Sequence, residues 1–148
     1  MHPQKSALFV VTSVVIAGCL ACGTSKAVTS ESPATTEVAV DNEFELAPGQ
    51  AAAFAALGLT VRFYSVTNDS RCPRDVQCVW AGNAKVLVTL KRTGGVAYQS
   101  ALNSFTDPKS VKDGNETLTL VSVLPETDTR HPITPGEYRA RFVVHSGS

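Results

Sequence analysis

Apolar and polar residues alternate through most of the chain beyond residue 43. Leu59-Thr60-Val61-Arg62-Phe63-Tyr64-Ser65-Val66 sets Leu59, Val61 and Phe63 on one face, and Ala84 to Lys91 does the same with Ala84, Val86, Val88 and Leu90. A period of two residues is that of half-buried strands. Thr117 to Leu124 places Leu118, Leu120 and Leu124 inward, and Glu137 to Val144 places Tyr138, Ala140, Phe142 and Val144 inward with Arg139 and Arg141 outward. Between these runs lies turn chemistry: Pro48-Gly49, Thr93-Gly94-Gly95, Asp113-Gly114-Asn115 and Pro135-Gly136, with Gly94-Gly95 predicting a tight hairpin. Ala51 to Leu57 reads as a strand, with one helical turn as the alternative. Short strands at this spacing, without a convincing helix, predict an all-β fold: a single small antiparallel β-sandwich or open barrel.

The first residues follow another rule. Lys5 precedes an apolar run from Ala7 to Ala17, too short for the roughly 20 residues that cross a bilayer and suited to the h-region of a signal peptide over residues 1–18. It ends in Ile16-Ala17-Gly18-Cys19, which resembles a bacterial lipobox. That resemblance implies that Cys19 receives a diacylglyceryl group and becomes the acylated, palmitate-type N-terminus after cleavage. Cys22 is a second candidate, with the poorer residue Cys19 three positions before it. Leu20 follows Cys19, whereas an Asp there retains enterobacterial-type lipoproteins at the inner membrane. The resemblance therefore implies a cell-envelope protein anchored through its lipid, on the outer membrane and facing the periplasm where the cell has one. Two or three acyl chains hold far more firmly than one.

Residues 19–40 are rich in Ala, Thr, Ser and Pro, without a hydrophobic period, and read as a lipidated N-terminus and disordered tether. An extra edge strand through Val38-Ala39-Val40 is the alternative. The β-domain is then 41–148, room for one domain. Of 148 residues, 43% are apolar and 18% charged, with 13 basic and 13 acidic. This balance gives no sign of a nucleic-acid partner, and no aromatic and basic residues interleave as such a platform requires. From Leu46 onward 11 basic residues face 8 acidic ones, so the globule is mildly basic and its tether acidic.

The segment Asn68-Asp69-Ser70-Arg71-Cys72-Pro73-Arg74-Asp75-Val76-Gln77-Cys78-Val79-Trp80-Ala81-Gly82 is the least strand-like part of the domain. In an exported chain Cys72 and Cys78 read as a disulfide closing a seven-residue loop, stabilising by about 2.4 kcal/mol on the chain-entropy argument. A redox pair or metal ligands would fit the five-residue spacing poorly. Trp80 either covers the bridge and one end of the core or stands out as a binding aromatic. Asp69, Ser70, Arg71, Arg74 and Asp75 either cap and pair within the turn or form a pre-organised surface whose arginines meet a carboxylate or phosphate.

Asp69-Ser70-Arg71-Cys72-Pro73 followed by Cys78-Val79-Trp80-Ala81-Gly82 resembles a pattern in small uncharacterised bacterial exported proteins and lipoproteins, over most of residues 44–144. The resemblance implies one compact β-domain and carries no chemistry. No catalytic motif stands out: His131 lies in a Pro-rich loop, His145 ends the last strand on its outward face, and no nucleophile elbow occurs. Glu126 and Asp128 read as solvated loop charges and not a glycosidase pair. Nothing implies a cofactor or metal. The expected function is that of a non-catalytic binding module. It presents the 68–82 loop to an envelope protein, peptide or polymer, and the alternative is a small-ligand carrier with an internal cavity.

Overall fold

The computed structural model describes residues 34–147, and the segment 1–18 read as a signal peptide, Cys19 and Cys22 lie outside them. The strands are β1 (Thr35–Glu37), β2 (Glu43–Leu46), β3 (Ala51–Phe54), β4 (Leu59–Asp69), β5 (Ala84–Arg92), β6 (Tyr98–Asn103), β7 (Ser110–Asp113), β8 (Glu116–Leu124) and β9 (Arg139–Ser146). They form two sheets, in the orders β1-β3-β4-β5-β6 and β2-β9-β8-β7. Neither sheet closes on itself, so the fold is a β-sandwich. A short 3₁₀ turn, Ala55–Leu57, follows β3, so the strand and the helical turn predicted for 51–57 share that segment.

The predicted alternation builds the core. Leu59, Val61, Phe63, Val86, Val88 and Leu90 are buried from one sheet, and Phe44, Leu118, Leu120, Ala140, Phe142 and Val144 from the other. Phe44 meets Phe54 edge-on at 5.3 Å between ring centroids, and Phe63 meets Phe142 at 6.2 Å. Both pairs join the sheets, in the edge-to-face geometry aromatic rings favour.

Bulges decide which residues the ends of the long strands present. In β4, Phe63 pairs with Val88 and Ser65 with Leu87, then Val66 with Val86 and Asn68 with Lys85. Each extra residue reverses the side-chain parity. The first reversal sets Val66, and not Ser65, against the core; the second brings Asp69 opposite the fully buried Ala84. A carboxylate thus arrives at the end of the hydrophobic core. One bulge in β8, between Leu120 and Ser122, leaves Val121 exposed and buries Val123. Leu124, expected inward from simple alternation, is therefore only half-buried, because the inserted residue shifted the phase.

Order also begins earlier than expected. Val38 donates its amide to the Ala53 carbonyl at 3.0 Å, and β1 pairs parallel with β3, Thr35 opposite Ala51. The tether read over 19–40 therefore yields to sheet structure from Thr35. Its polar composition hid this, since the three residues of β1 are exposed and pair with β3 through the main chain. The sheet edges are short: three residues in β1, four in β2 and β7, six in β6, with Glu37, Glu43, Glu45, Lys112 and Asp113 along them.

Candidate functional site

Leaving β4, the chain makes a stem before it opens into the disulfide loop. The Ser70 amide donates to the Asn83 carbonyl and the Cys72 amide to the Ala81 carbonyl, each at 2.8 Å. The Ser70 hydroxyl also donates to the Asn83 carbonyl at 3.1 Å and accepts the Asn83 amide at 3.2 Å. Gly82 allows the strands of the stem to touch. Its φ is +69°, and a Cβ there would lie 1.7 Å from the Ser70 carbonyl oxygen. Beyond the stem Cys72 and Cys78 are bonded, with Cα atoms 5.9 Å apart.

Asp69 anchors this loop to the core end. The Arg71 amide donates to one carboxylate oxygen at 3.2 Å, an Asx-type turn. The Arg71 guanidinium forks onto both oxygens at 2.8 and 2.6 Å. Its remaining arm donates to the Val123 carbonyl at 2.5 Å, and the Tyr138 hydroxyl donates to Asp69 at 3.1 Å. The Asp69 and Arg71 side chains are only 9% and 15% exposed, so this bidentate pair joins the two sheets in a region largely shielded from water. Burial alone would raise the Asp69 pKa, but the bonds and charge from Arg71, with Tyr138, hold it below the ordinary carboxylate value. Burial, then the charge of Asp69, pushes the Tyr138 phenol upward.

The same loop is stitched to the β8–β9 connection. Arg74 donates its amide to the Thr127 carbonyl at 2.9 Å and its side chain to Asp128 at 3.1 Å. The Thr129 amide donates to Asp75 at 3.0 Å, and its hydroxyl donates to the other Asp75 oxygen. Arg130 closes on Asp128 from the other side at 3.0 Å. The Asp128 side chain is 5% exposed and held well below the usual carboxylate range, chiefly by the Arg130 hydrogen bond. It is therefore a structural clamp and not the solvated charge its loop composition suggested. Asp75 is lowered too, first by the Thr129 hydroxyl. An open groove of about 450 Å³ lies alongside, lined by Arg74, Leu124, Glu126, Asp128, His131 and Ile133 among others.

Of the residues singled out in the sequence, Asp69, Ser70, Arg71 and Asp75 are engaged in holding the loop, as the capping and pairing reading expects. Each guanidinium nitrogen of Arg71 is engaged within the domain, whereas the Arg74 side chain, paired with Asp128, is 61% exposed. Trp80 does not cover the bridge: it is 79% exposed and its neighbour Val79 is 89% exposed. The Gly82 stem turns the residues after Cys78 away from the core, so the packing reading of Trp80 is overturned. The partners that sequence reading missed are Tyr138, Asn83, Val123, Thr129 and Phe105. Asn83 donates to Asn103, buried at 6% exposure, and its side-chain oxygen accepts the Phe105 amide at 3.1 Å. Only Tyr138 carried a signal, a phenol at the end of a core-facing run, where buried tyrosines seek a hydrogen-bond acceptor. No family model, curated protein or solved structure matches the chain.

Proposed function

We propose that this chain is a lipid-anchored cell-envelope protein, cleaved before Cys19 and tethered through residues 19–34. Its sandwich works as a non-catalytic binding module. The lipobox-like Ile16-Ala17-Gly18-Cys19 supports the anchor, and Leu20 favours an outer membrane, facing the periplasm, in a diderm cell. Its partner on this reading is an envelope protein, peptide or polymer met by the 68–82 loop.

One observation carries the binding role. The β4–β5 connection is held by a disulfide, a hydrogen-bonded stem and ion pairs to a second loop, yet it leaves the Arg74 side chain largely exposed beside an open groove. Rigid display of a side chain lowers the ordering cost of association, and Arg is among the residues that most often dominate such contacts. The carrier alternative needs interior space, and the space between the sheets is filled by Phe44, Phe54, Phe63 and Phe142. The test is photo-crosslinking in intact cells from Gln77, exposed on the loop, beside Val96, exposed at the opposite end. A discrete macromolecular adduct from position 77 alone is the expected result. Adducts from neither position, or equally from both, would sink the reading.

A further inference from the structure

We infer that the apolar tip of the loop has a partner of its own, the lipid surface of the membrane: Val79, Trp80 and Phe105 lie in the headgroup region and set how the domain stands. This inference rests on the lipid anchor proposed above.

Three observations converge on it. The tip is fixed and spans two loops. Val79 and Trp80 leave the disulfide loop, and Phe105, 59% exposed, is tied to the loop's exit by the bond from its amide to Asn83. All three therefore lie at one end of the sandwich, where β4 finishes and β5 begins.

The second observation is where the chain enters the domain. Strand β1 runs parallel to β3 and β3 antiparallel to β4, so the chain traced back from Glu37 to Ala34 runs toward that same end. Thr35 is level with Ala51, Arg62 and Thr89 through successive pairings. From Thr89 to Ala84, at the rim, is five steps of β5, about 17 Å. Fifteen residues from Cys19 to Pro33 span at most about 50 Å. On the lipid-anchor reading, that length of chain is enough for the tip to reach the bilayer.

The third observation is chemical. An indole has a large apolar body with one N–H donor, which suits the boundary between headgroups and acyl chains. Lys109 places its ammonium 5.8 Å from the Phe105 ring centroid, a cation beside the apolar tip where lipid phosphates would lie. Three side chains bind a bilayer weakly in free solution. With the anchor inserted the contact becomes intramolecular, so a weak tip suffices.

Trp80 is the chain's single tryptophan, so intrinsic fluorescence reads this position alone. The full acylated chain is reconstituted into phosphatidylethanolamine–phosphatidylglycerol vesicles, with and without brominated acyl chains. Docking predicts a blue-shifted emission protected from acrylamide, with roughly half of it lost to the bromines at the interfacial depth of 5–10 Å. A water-like emission, equal in both vesicles, would overturn it. Protection from acrylamide without bromine quenching, growing with protein density, would replace lipid by a second copy of the chain and also overturn it. Intact mass of the same sample separates the two proposals. Acylated Cys19 with Trp80 in water removes the docking alone, whereas an unmodified Cys19 removes the anchor and the docking with it.

Discussion

At one end of the sandwich the chain reverses in few residues: four between β3 and β4, five between β5 and β6, two between β7 and β8. At the other end the β4–β5 and β8–β9 connections take fourteen each. Each end has an ionic hub. The short-turn end is gathered by Arg92, which donates to the Leu57 carbonyl at 3.1 Å and to Asp113 at 2.9 Å, and also pairs with Glu116. The long-loop end is gathered by the carboxylate of Asp69, more deeply buried than Arg92. Short turns spend every residue on reversal and have little to display. Long loops can display side chains only if something else holds their backbone, and here a disulfide and two shielded carboxylates do so.

Glycine tests this contrast most sharply. Gly82→Ala should destabilise the domain by more than about 3 kcal/mol, because positive φ combines with a backbone collision. Gly94→Ala in the hairpin has a similar φ of +74° but open space around it, and should cost about 1 kcal/mol. Urea titration of both variants checks the pair; equal losses would show that the stem is not tighter than a hairpin. Asp69→Ala strands the Arg71 guanidinium and the Tyr138 hydroxyl and should cost about 3 kcal/mol by the same titration. The corresponding change at the exposed end, Asp113→Ala, should cost about 1 kcal/mol.

Replacing Cys72 and Cys78 by Ser should lower stability by about 2.4 kcal/mol. It should also speed amide exchange in 72–80 and leave 93–97 unchanged. Acid should loosen the same end first. Asp69, Asp75, Asp128 and Glu137 all titrate below their ordinary values in the fold. Their contribution is complete above the ordinary carboxylate pKa, 3.8 for the three aspartates, and is lost as pH falls through the lower folded values. Protection from exchange relative to the intrinsic rate, followed from pH 6 down to about 2, should fall in 70–83 and 125–138 before it falls in β5. Simultaneous loosening would break the comparison. The smallest effect belongs to Trp80→Ala, within about 0.5 kcal/mol of the parent; a larger fall in melting temperature would mean that the indole packs after all.

The strands were legible because their faces differ: Ala84, Val86, Val88 and Leu90 alternate with polar or half-exposed neighbours, and a two-residue period has few other readings. Parity was not legible beyond a bulge. Nothing in Leu120-Val121-Ser122-Val123-Leu124 marks Val121 as the inserted residue, so Leu124 and Val123 were exchanged. The disulfide could be read from compartment and spacing, and the pairing of Arg71 with Asp69 from the Asx-turn habit of aspartate. The direction of Trp80 could not, because it depends on Gly82 passing against Ser70, a contact across twelve residues. Asp128 looked solvated for a related reason: besides its neighbour Arg130 it is met by Arg74, more than fifty positions away.

The sheet margins have a consequence for life at high density. Molecules anchored in one plane would collide far more often than the same number in solution, and an open sheet edge is a template onto which a neighbour's strand can zip. Here the margins run for three to six residues and carry Glu37, Glu43, Glu45, Lys112 and Asp113. Cross-chain pairing would gain few main-chain bonds and bring like charges together. The three residues of β1 lie over the edge of the alanine-rich β3, Ala51-Ala52-Ala53-Phe54, the margin that would otherwise aggregate most readily.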